Sequence, residues 1–152
     1  MRSAITLYMI FLVANGAFAQ TQPPALLTDA LRRLPGMRLL DPSLVSLLGE
    51  GTVEELKHDG NWPPWQVADL NRDGLPDVVA VVVKKTRDSV QYGVLAVQAE
   101  APGEVHWVVQ MEAQPINGVR VGTYWGPDTV EPMWCNRCDA NPWYKWSGRS
   151  YQ

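Results

Sequence analysis

The sequence predicts an α+β fold in which short N-terminal helices pack on a mainly antiparallel β-sheet. Helical signals lie in the first third of the chain, where three amphipathic segments have their own start and stop residues. The segment from Val78 to Val83 is apolar on both faces and rich in β-branched residues, which is typical of a central strand. Short apolar segments separated by Gly, Pro and Asn follow it. This order, helices first and strands afterwards, favours the α+β class.

The helices are predicted at residues 24–34, 41–49 and 52–59. Pro35-Gly36 ends the first helix. Asp41 is the predicted N-cap of the second, with Pro42 at its first helical position. The third opens with a capping box, Thr52 to Glu55, in which the side chains of the first and last residues bond reciprocally to the backbone.

The strands are predicted at residues 66–68, 78–83, 91–98, 105–111, 119–124 and 129–133, followed by a terminal hairpin formed by 143–146 and 150–151. Asn117-Gly118 and the segment from Gly126 to Asp128 are predicted turns. In the strand 105–111, alternation places four apolar side chains on one face: Val105, Trp107, Val109 and Met111.

The stretch from Asp69 to Asp77 predicts a calcium-binding loop. Side chains that carry oxygen occupy positions one, three, five and nine, namely Asp69, Asn71, Asp73 and Asp77, and Gly74 occupies position six. Calcium takes six to eight oxygen ligands, and a loop curled around the ion turns alternate side chains inward. Position seven provides only its carbonyl, so Leu75 is free to be apolar. The alternative is an Asx-rich turn that binds no ion, because Asn, Asp and Gly are common in turns.

The loop differs from that of a helix–loop–helix EF-hand because Ala80 stands where the bidentate Glu of position twelve is required. An Asp-rich nine-residue loop that runs into a strand resembles the calcium loops of FG-GAP and VCBS-type repeats. The resemblance covers Asp69 to about Val83, and the ligands that it implies are Asp69, Asn71, Asp73, Asp77 and the Leu75 carbonyl. The motif occurs once, so the propeller fold of those repeats is not implied. Without the Glu we expect a dissociation constant of roughly 10⁻⁴ to 10⁻³ M.

The N-terminus predicts export to the periplasm or the exterior. Residues 1–19 have the pattern of a signal peptide, with Arg2 at the start, an apolar segment from Ile5 to Val13, and the cleavage site Ala17-Phe18-Ala19. Removing 19 of the 152 residues leaves 133, enough for one globular domain over 20–152. We expect no membrane span after the signal peptide, and no nucleic-acid partner, because basic residues do not cluster with aromatic ones.

Cys135 and Cys138 are the two cysteines of the chain. In an exported protein they predict a local disulfide, which would fix a turn. The alternatives are a thiol–disulfide redox site, a structural zinc site completed by His58 and His106, or free thiols.

The chain has seven Trp residues, and exposed Trp side chains would provide a surface for a protein or glycan ligand. The alternative is that they pack in the core. These features predict an exported calcium-binding module with a structural or binding role. The alternative is an exported enzyme, acting through Cys135 and Cys138 or as a hydrolase with an acidic site near the loop, although the sequence has no G-x-S-x-G or H-E-x-x-H motif.

Overall fold

The computed structural model describes residues 22–45, 53–58, 62–112, 115–123, 125–134 and 141–152. Within these ranges the helices are α1 (Ala25–Arg32), α2 (Pro42–Val45) and α3 (Val53–His58). The strands are β1 (Met37–Leu39), β2 (Trp65–Ala68), β3 (Asp77–Lys85), β4 (Val90–Val97), β5 (His106–Glu112), β6 (Gly118–Thr123), β7 (Gly126–Met133) and β8 (Tyr144–Lys145). The predicted α+β class is confirmed. The predicted signal peptide and cysteine pair lie outside the described residues.

Strand β3 is the centre of the first sheet. Its two edges are covered by antiparallel partners: β4, followed by β5, pairs along one edge, while β1 and β2 share the other. The gap between β1 and β2 is closed at Val81, whose carbonyl accepts the Leu40 amide at 3.1 Å and whose amide donates to the Pro64 carbonyl at 2.8 Å. A second, smaller sheet has the order β6-β7-β8.

The run of Val and Ala in β3 forms a strand because each of its faces meets a different layer. Three of its side chains pack in the cluster that contains the buried face of α1: Val78, Ala80 and Val82. The alternate three pack in the cluster formed with α2, α3 and the second sheet: Val79, Val81 and Val83. All six are at most 2% exposed, which accounts for the absence of a polar face in this segment.

The predicted helix starts agree with the structure where the residues are described. Helix α1 lies within the predicted 24–34 segment. Asp41 caps α2, since its Oδ1 accepts the amides of Ser43 at 2.9 Å and Leu44 at 3.2 Å. Thr52 and Gly49 lie outside the described residues. No helix within the described ranges is long and apolar enough to cross a membrane.

Both predicted turns of the second sheet are wrong. Gly118 opens β6, and the amide of Asn117 donates to the Met133 carbonyl at 2.7 Å, so this pair continues the ladder with β7. Residues 126–128 belong to β7, and the chain reverses one step earlier, where Thr123 pairs with Gly126. Backbone pairing across the sheet has overridden the local preference of Asn, Gly and Pro for turns.

The predicted single apolar face of β5 is also wrong. The register shifts between Val94 and Leu95, so Trp107 lies opposite Leu95, Val109 lies opposite Val94, and Val108 is an additional residue in a β-bulge. Trp107 therefore packs on the α1 side, whereas Val108 and Val109 pack on the side of the second sheet.

Candidate functional site

The predicted calcium loop forms the turn of the β2–β3 hairpin. Ala68 and Asp77 are the last paired residues, and the intervening residues connect the two strands. Gly74, at loop position six, has a φ of 85°, a backbone conformation that favours glycine. Arg72 adopts a φ of 65°, which is unusual for a residue with a side chain. The loop thus turns sharply at the position where the calcium motif requires a glycine.

Short polar side chains bond to the amides of the loop itself. Asp69 accepts the amides of Asp73 through Oδ1 and of Gly74 through Oδ2, both at 3.0 Å. Asn71 and Asp73 each accept the amide two residues ahead, at 3.1 Å and 2.7 Å, which is the geometry of successive Asx turns. The side-chain oxygens at positions one, three and five are therefore turned toward the inside of the loop. The Leu75 side chain at position seven is exposed.

Asp77 holds the base of the loop. It is fully buried, its Oδ2 accepts the amide of Leu70 at 2.9 Å, and its Oδ1 accepts the amide of Ala99 at 2.9 Å. One carboxylate thereby joins the start of the loop to the β4–β5 turn. A carboxylate has about four lone-pair sites, so these two hydrogen bonds leave acceptor capacity for a cation.

A second contact joins the loop to the β4–β5 turn. The Nδ2 of Asn71 donates to Oδ2 of Asp73 at 2.8 Å and to Oε1 of Glu100 at 3.1 Å. Glu100 was not predicted as a site residue. It follows Ala99 directly, so the hydrogen bond that Asp77 accepts from Ala99 places the Glu100 side chain beside the loop.

Two buried polar groups near Asp77 lack a hydrogen-bond partner among the described residues. These are the hydroxyl of Tyr151, which is 8% exposed, and Nε2 of Gln98, which is 2% exposed. Burial raises the pKa of Tyr151, and the negative charge of Asp77 raises it further. Unpaired buried polar atoms are rare in folded proteins.

Arg72 connects the loop to the second sheet. Its Nη2 lies 2.9 Å from Oδ2 of Asp128 in β7, and Nζ of Lys145 in β8 lies 3.0 Å from the same oxygen. The Asp128 side chain is 5% exposed, and burial alone would raise its pKa. The hydrogen bonds from Lys145 and Arg72 outweigh burial, so the pKa of Asp128 lies below 3.8.

The donor set of the loop has the chemistry that calcium prefers, because carboxylate, amide and backbone carbonyl oxygens are hard ligands. Within the described ranges, no three His, Cys, Asp or Glu side chains come together as a ready-made metal cage. The side-chain oxygens of the loop are engaged by backbone amides. The candidate site is thus a preformed turn lined by oxygens.

The seven Trp residues fall into two groups. Five pack on the two core clusters: Trp62, Trp65, Trp107, Trp134 and Trp146. The other two, Trp125 and Trp143, are 58% and 41% exposed and stack on each other, with ring centroids 5.3 Å apart and planes inclined by 18°. Core packing therefore accounts for most of the high Trp count.

A cavity of about 250 Å³ lies at the other end of the first sheet from the loop. It is lined by Met37, Gln91, Tyr92, Gln110, Met111 and Glu112. Glu112, its one carboxylate, accepts a hydrogen bond from Nε2 of Gln91 at 3.2 Å. The loop carboxylates do not line this cavity.

Comparison of the chain with protein-family models, curated proteins and solved structures gives no match.

Proposed function

We propose that this chain is an exported calcium-binding module in which one ion is held by the loop from Asp69 to Asp77. The ion would contact the side chains of Asp69, Asn71, Asp73 and Asp77 and the carbonyl of Leu75. Its role would be structural, because it would screen three carboxylates at the point where the central strand begins. The observation that carries the proposal is the inward orientation of the oxygens at positions one, three and five, around a glycine in the left-handed conformation.

Thermal unfolding of the purified chain in calcium and in chelator tests this proposal. At a calcium concentration about 100 times the dissociation constant, the native state should gain about 2.7 kcal/mol. The gain should disappear in Asp73→Ala, which removes a ligand at loop position five. Asp88→Ala is the matched control, because Asp88 is an exposed carboxylate in the β3–β4 turn, at the opposite end of β3. An unchanged melting temperature in the wild type, or an equal gain in Asp73→Ala, would contradict the proposal.

The stacked indoles of Trp125 and Trp143 support the binding part of this role, toward a protein or glycan ligand. Exposed aromatic rings offer apolar contact area with little loss of side-chain entropy on binding. We expect ligands identified on glycan and peptide arrays to be lost in the variant Trp125→Ala, Trp143→Ala and retained in Val67→Ala, which shortens another exposed apolar side chain. The proposed binding role would be contradicted if the Trp double variant and Val67→Ala bound equally well, or if the wild type bound no ligand.

A further inference from the structure

We propose that the stacked indoles of Trp125 and Trp143 bind a neutral β-linked glycan. A sugar ring lies flat on the exposed face of the pair, and its hydroxyls bond to Glu131 and Arg120. This inference rests on the binding role proposed above and narrows the two ligand classes given there to one. It does not depend on calcium binding by the loop.

The pair lies on the outer face of the second sheet. The inner face carries side chains that pack in the core: Val119, Val121, Val130 and Tyr144. Strand alternation therefore directs Arg120, Glu131 and Trp143 to the opposite face. Arg120 pairs with Glu131 in the ladder, and Val130 pairs with Tyr144, so Trp143 reaches the level of Glu131. Trp125 comes from the β6–β7 turn and completes the stack, with ring centroids 5.3 Å apart.

Both indoles are carried by segments that are held in place. The hydroxyl of Thr129 donates to the Gly126 carbonyl at 2.6 Å, which closes the turn that follows Trp125. Two residues after the second indole, Nζ of Lys145 lies 3.0 Å from Oδ2 of the buried Asp128. The two rings also restrain each other. Little side-chain entropy is therefore lost when a ligand binds to them.

Polar side chains border the rings. Oε1 of Glu131 accepts a hydrogen bond from Nδ2 of Asn141 at 3.3 Å, and Oδ1 of Asn141 accepts the amide of Trp134 at 3.2 Å. The Glu131 carboxylate is thus positioned beside Trp143 and retains acceptor capacity, because a carboxylate has about four lone-pair sites. Arg120, opposite Glu131, carries hydrogen-bond donors. This arrangement matches a sugar ring, whose C–H groups form its flat face and whose hydroxyls lie around its edge.

The charges and the apolar surface favour a neutral glycan over an anionic ligand or a peptide. Arg120 lies opposite an acidic residue, and Lys145 is directed at Asp128, so the cations beside the rings are balanced by carboxylates. Among the described residues, the other large apolar side chains that are exposed are Val67 and Leu75, in the β2–β3 hairpin of the first sheet. The described residues thus offer no row of exposed apolar side chains leading away from the rings, whereas peptides are recognised through pockets for successive side chains.

Affinity electrophoresis of the purified chain tests this inference, in native gels that contain neutral β-linked polysaccharides (hydroxyethyl cellulose, glucomannan, xylan or galactan) or anionic polygalacturonate. We expect retardation in at least one neutral gel and none in polygalacturonate. The double variant Trp125→Leu, Trp143→Leu keeps apolar side chains but has no flat rings, so its dissociation constant should rise by about tenfold or more. The matched double variant Trp125→Phe, Trp143→Phe keeps aromatic faces and should bind about threefold or more tightly than the Leu variant. Because both positions are exposed, the two variants should have equal melting temperatures.

The polar contact is tested with Glu131→Gln in the gel that retards the wild type. We expect binding to weaken by about threefold or more, because hydrogen bonds to a charged acceptor are roughly twice as strong as those to a neutral one. Glu112→Gln is the matched control, since it removes an exposed negative charge from β5 in the first sheet, and it should bind like the wild type. Equal binding by the two Gln variants would contradict the assignment of Glu131.

The outcomes separate this inference from the function on which it rests. If peptides bind through the two indoles and no neutral polysaccharide retards the wild type, the binding role holds and the glycan inference fails. If neither class of ligand binds, both fail, while calcium stabilisation of the loop is measured independently. Stronger retardation by polygalacturonate than by every neutral polysaccharide, or equal retardation of the Leu and Phe variants, would also overturn the inference. Retardation that the Phe variant keeps and the Leu variant loses would support it.

Discussion

Replacing Asp77 by Ala is expected to lower the free energy of unfolding by about 3–6 kcal/mol even in chelator. The carboxylate accepts two backbone amides at a fully buried position, and hydrogen bonds to a charged group are worth about 1.5–3 kcal/mol each. Removing it leaves the amides of Leu70 and Ala99 without that acceptor. Urea denaturation monitored by Trp fluorescence would measure the loss.

Two further variants separate the structural role of Asp77 from calcium binding. Asp73→Ala removes a loop carboxylate that is exposed, so in chelator it should cost about 1 kcal/mol or less. Asp77→Asn keeps the size of the side chain and one acceptor oxygen, but its NH₂ group is a donor and would face the donor N–H of the second backbone amide. The loss of unfolding free energy in Asp77→Asn should therefore approach that in Asp77→Ala. If Asp77→Ala costs no more than Asp73→Ala in chelator, the carboxylate does not hold the two segments together.

The second large effect is expected at Asp128, when both of its cations are removed. Arg72→Met and Lys145→Met should each cost about 1 kcal/mol or less, because the other cation still neutralises the carboxylate. Together they should cost about 3 kcal/mol, since Asp128 is then a buried charge with neither cation. This value is at the lower end for buried pairs because both cations are partly exposed to solvent. A double-mutant cycle in urea measures the excess over the sum of the single effects.

Adding Asp128→Asn to the double variant should recover most of the loss, because it removes the buried charge. An additive double variant, or one that Asp128→Asn does not rescue, would show that the cluster contributes packing alone.

Acid should remove the contribution of the same cluster. The pKa of Asp128 is depressed in the folded state, so its stabilising effect is complete above the unfolded value of 3.8 and is lost as the pH falls through the lower folded value. The difference in unfolding free energy between the wild type and Asp128→Asn should thus be constant near neutrality and shrink only below 3.8. A difference that changes between neutral pH and 5 would contradict this assignment.

The parts of the fold that the sequence predicted correctly are those specified by local pattern. Strand β3 could be predicted from its six consecutive apolar residues alone. A strand that is buried on both faces does not alternate between polar and apolar side chains. The N-cap of α2 followed from Asp41 and Pro42 alone. Strand β1 was not predicted, because Met37 to Leu39 is only three residues long and is extended through pairing with residues 82–84 of β3.

The same reasoning explains which site residues were missed. The loop from Asp69 to Asp77 is contiguous, so its spacing could be read from the sequence. Glu100 and Asp128 contact the loop from distant parts of the chain, and Asp128 was assigned to a turn because it follows Gly and Pro. Nothing in the local sequence indicates that β4 ends beside the loop. That juxtaposition depends on the register in which Val97 pairs with Val78.

The location of the loop in the β2–β3 hairpin has a consequence for folding kinetics. Ala68 and Asp77 are close in sequence, so closing this hairpin has a small entropic cost compared with pairing β1 to β3 across more than forty intervening residues. If the hairpin belongs to the folding nucleus, an ion bound in its turn stabilises the transition state and accelerates folding. If the hairpin closes after the transition state, the same ion slows unfolding and leaves the folding rate unchanged. A pair of chevron plots, with and without calcium, would thus show whether the β2–β3 hairpin forms before or after the folding transition state.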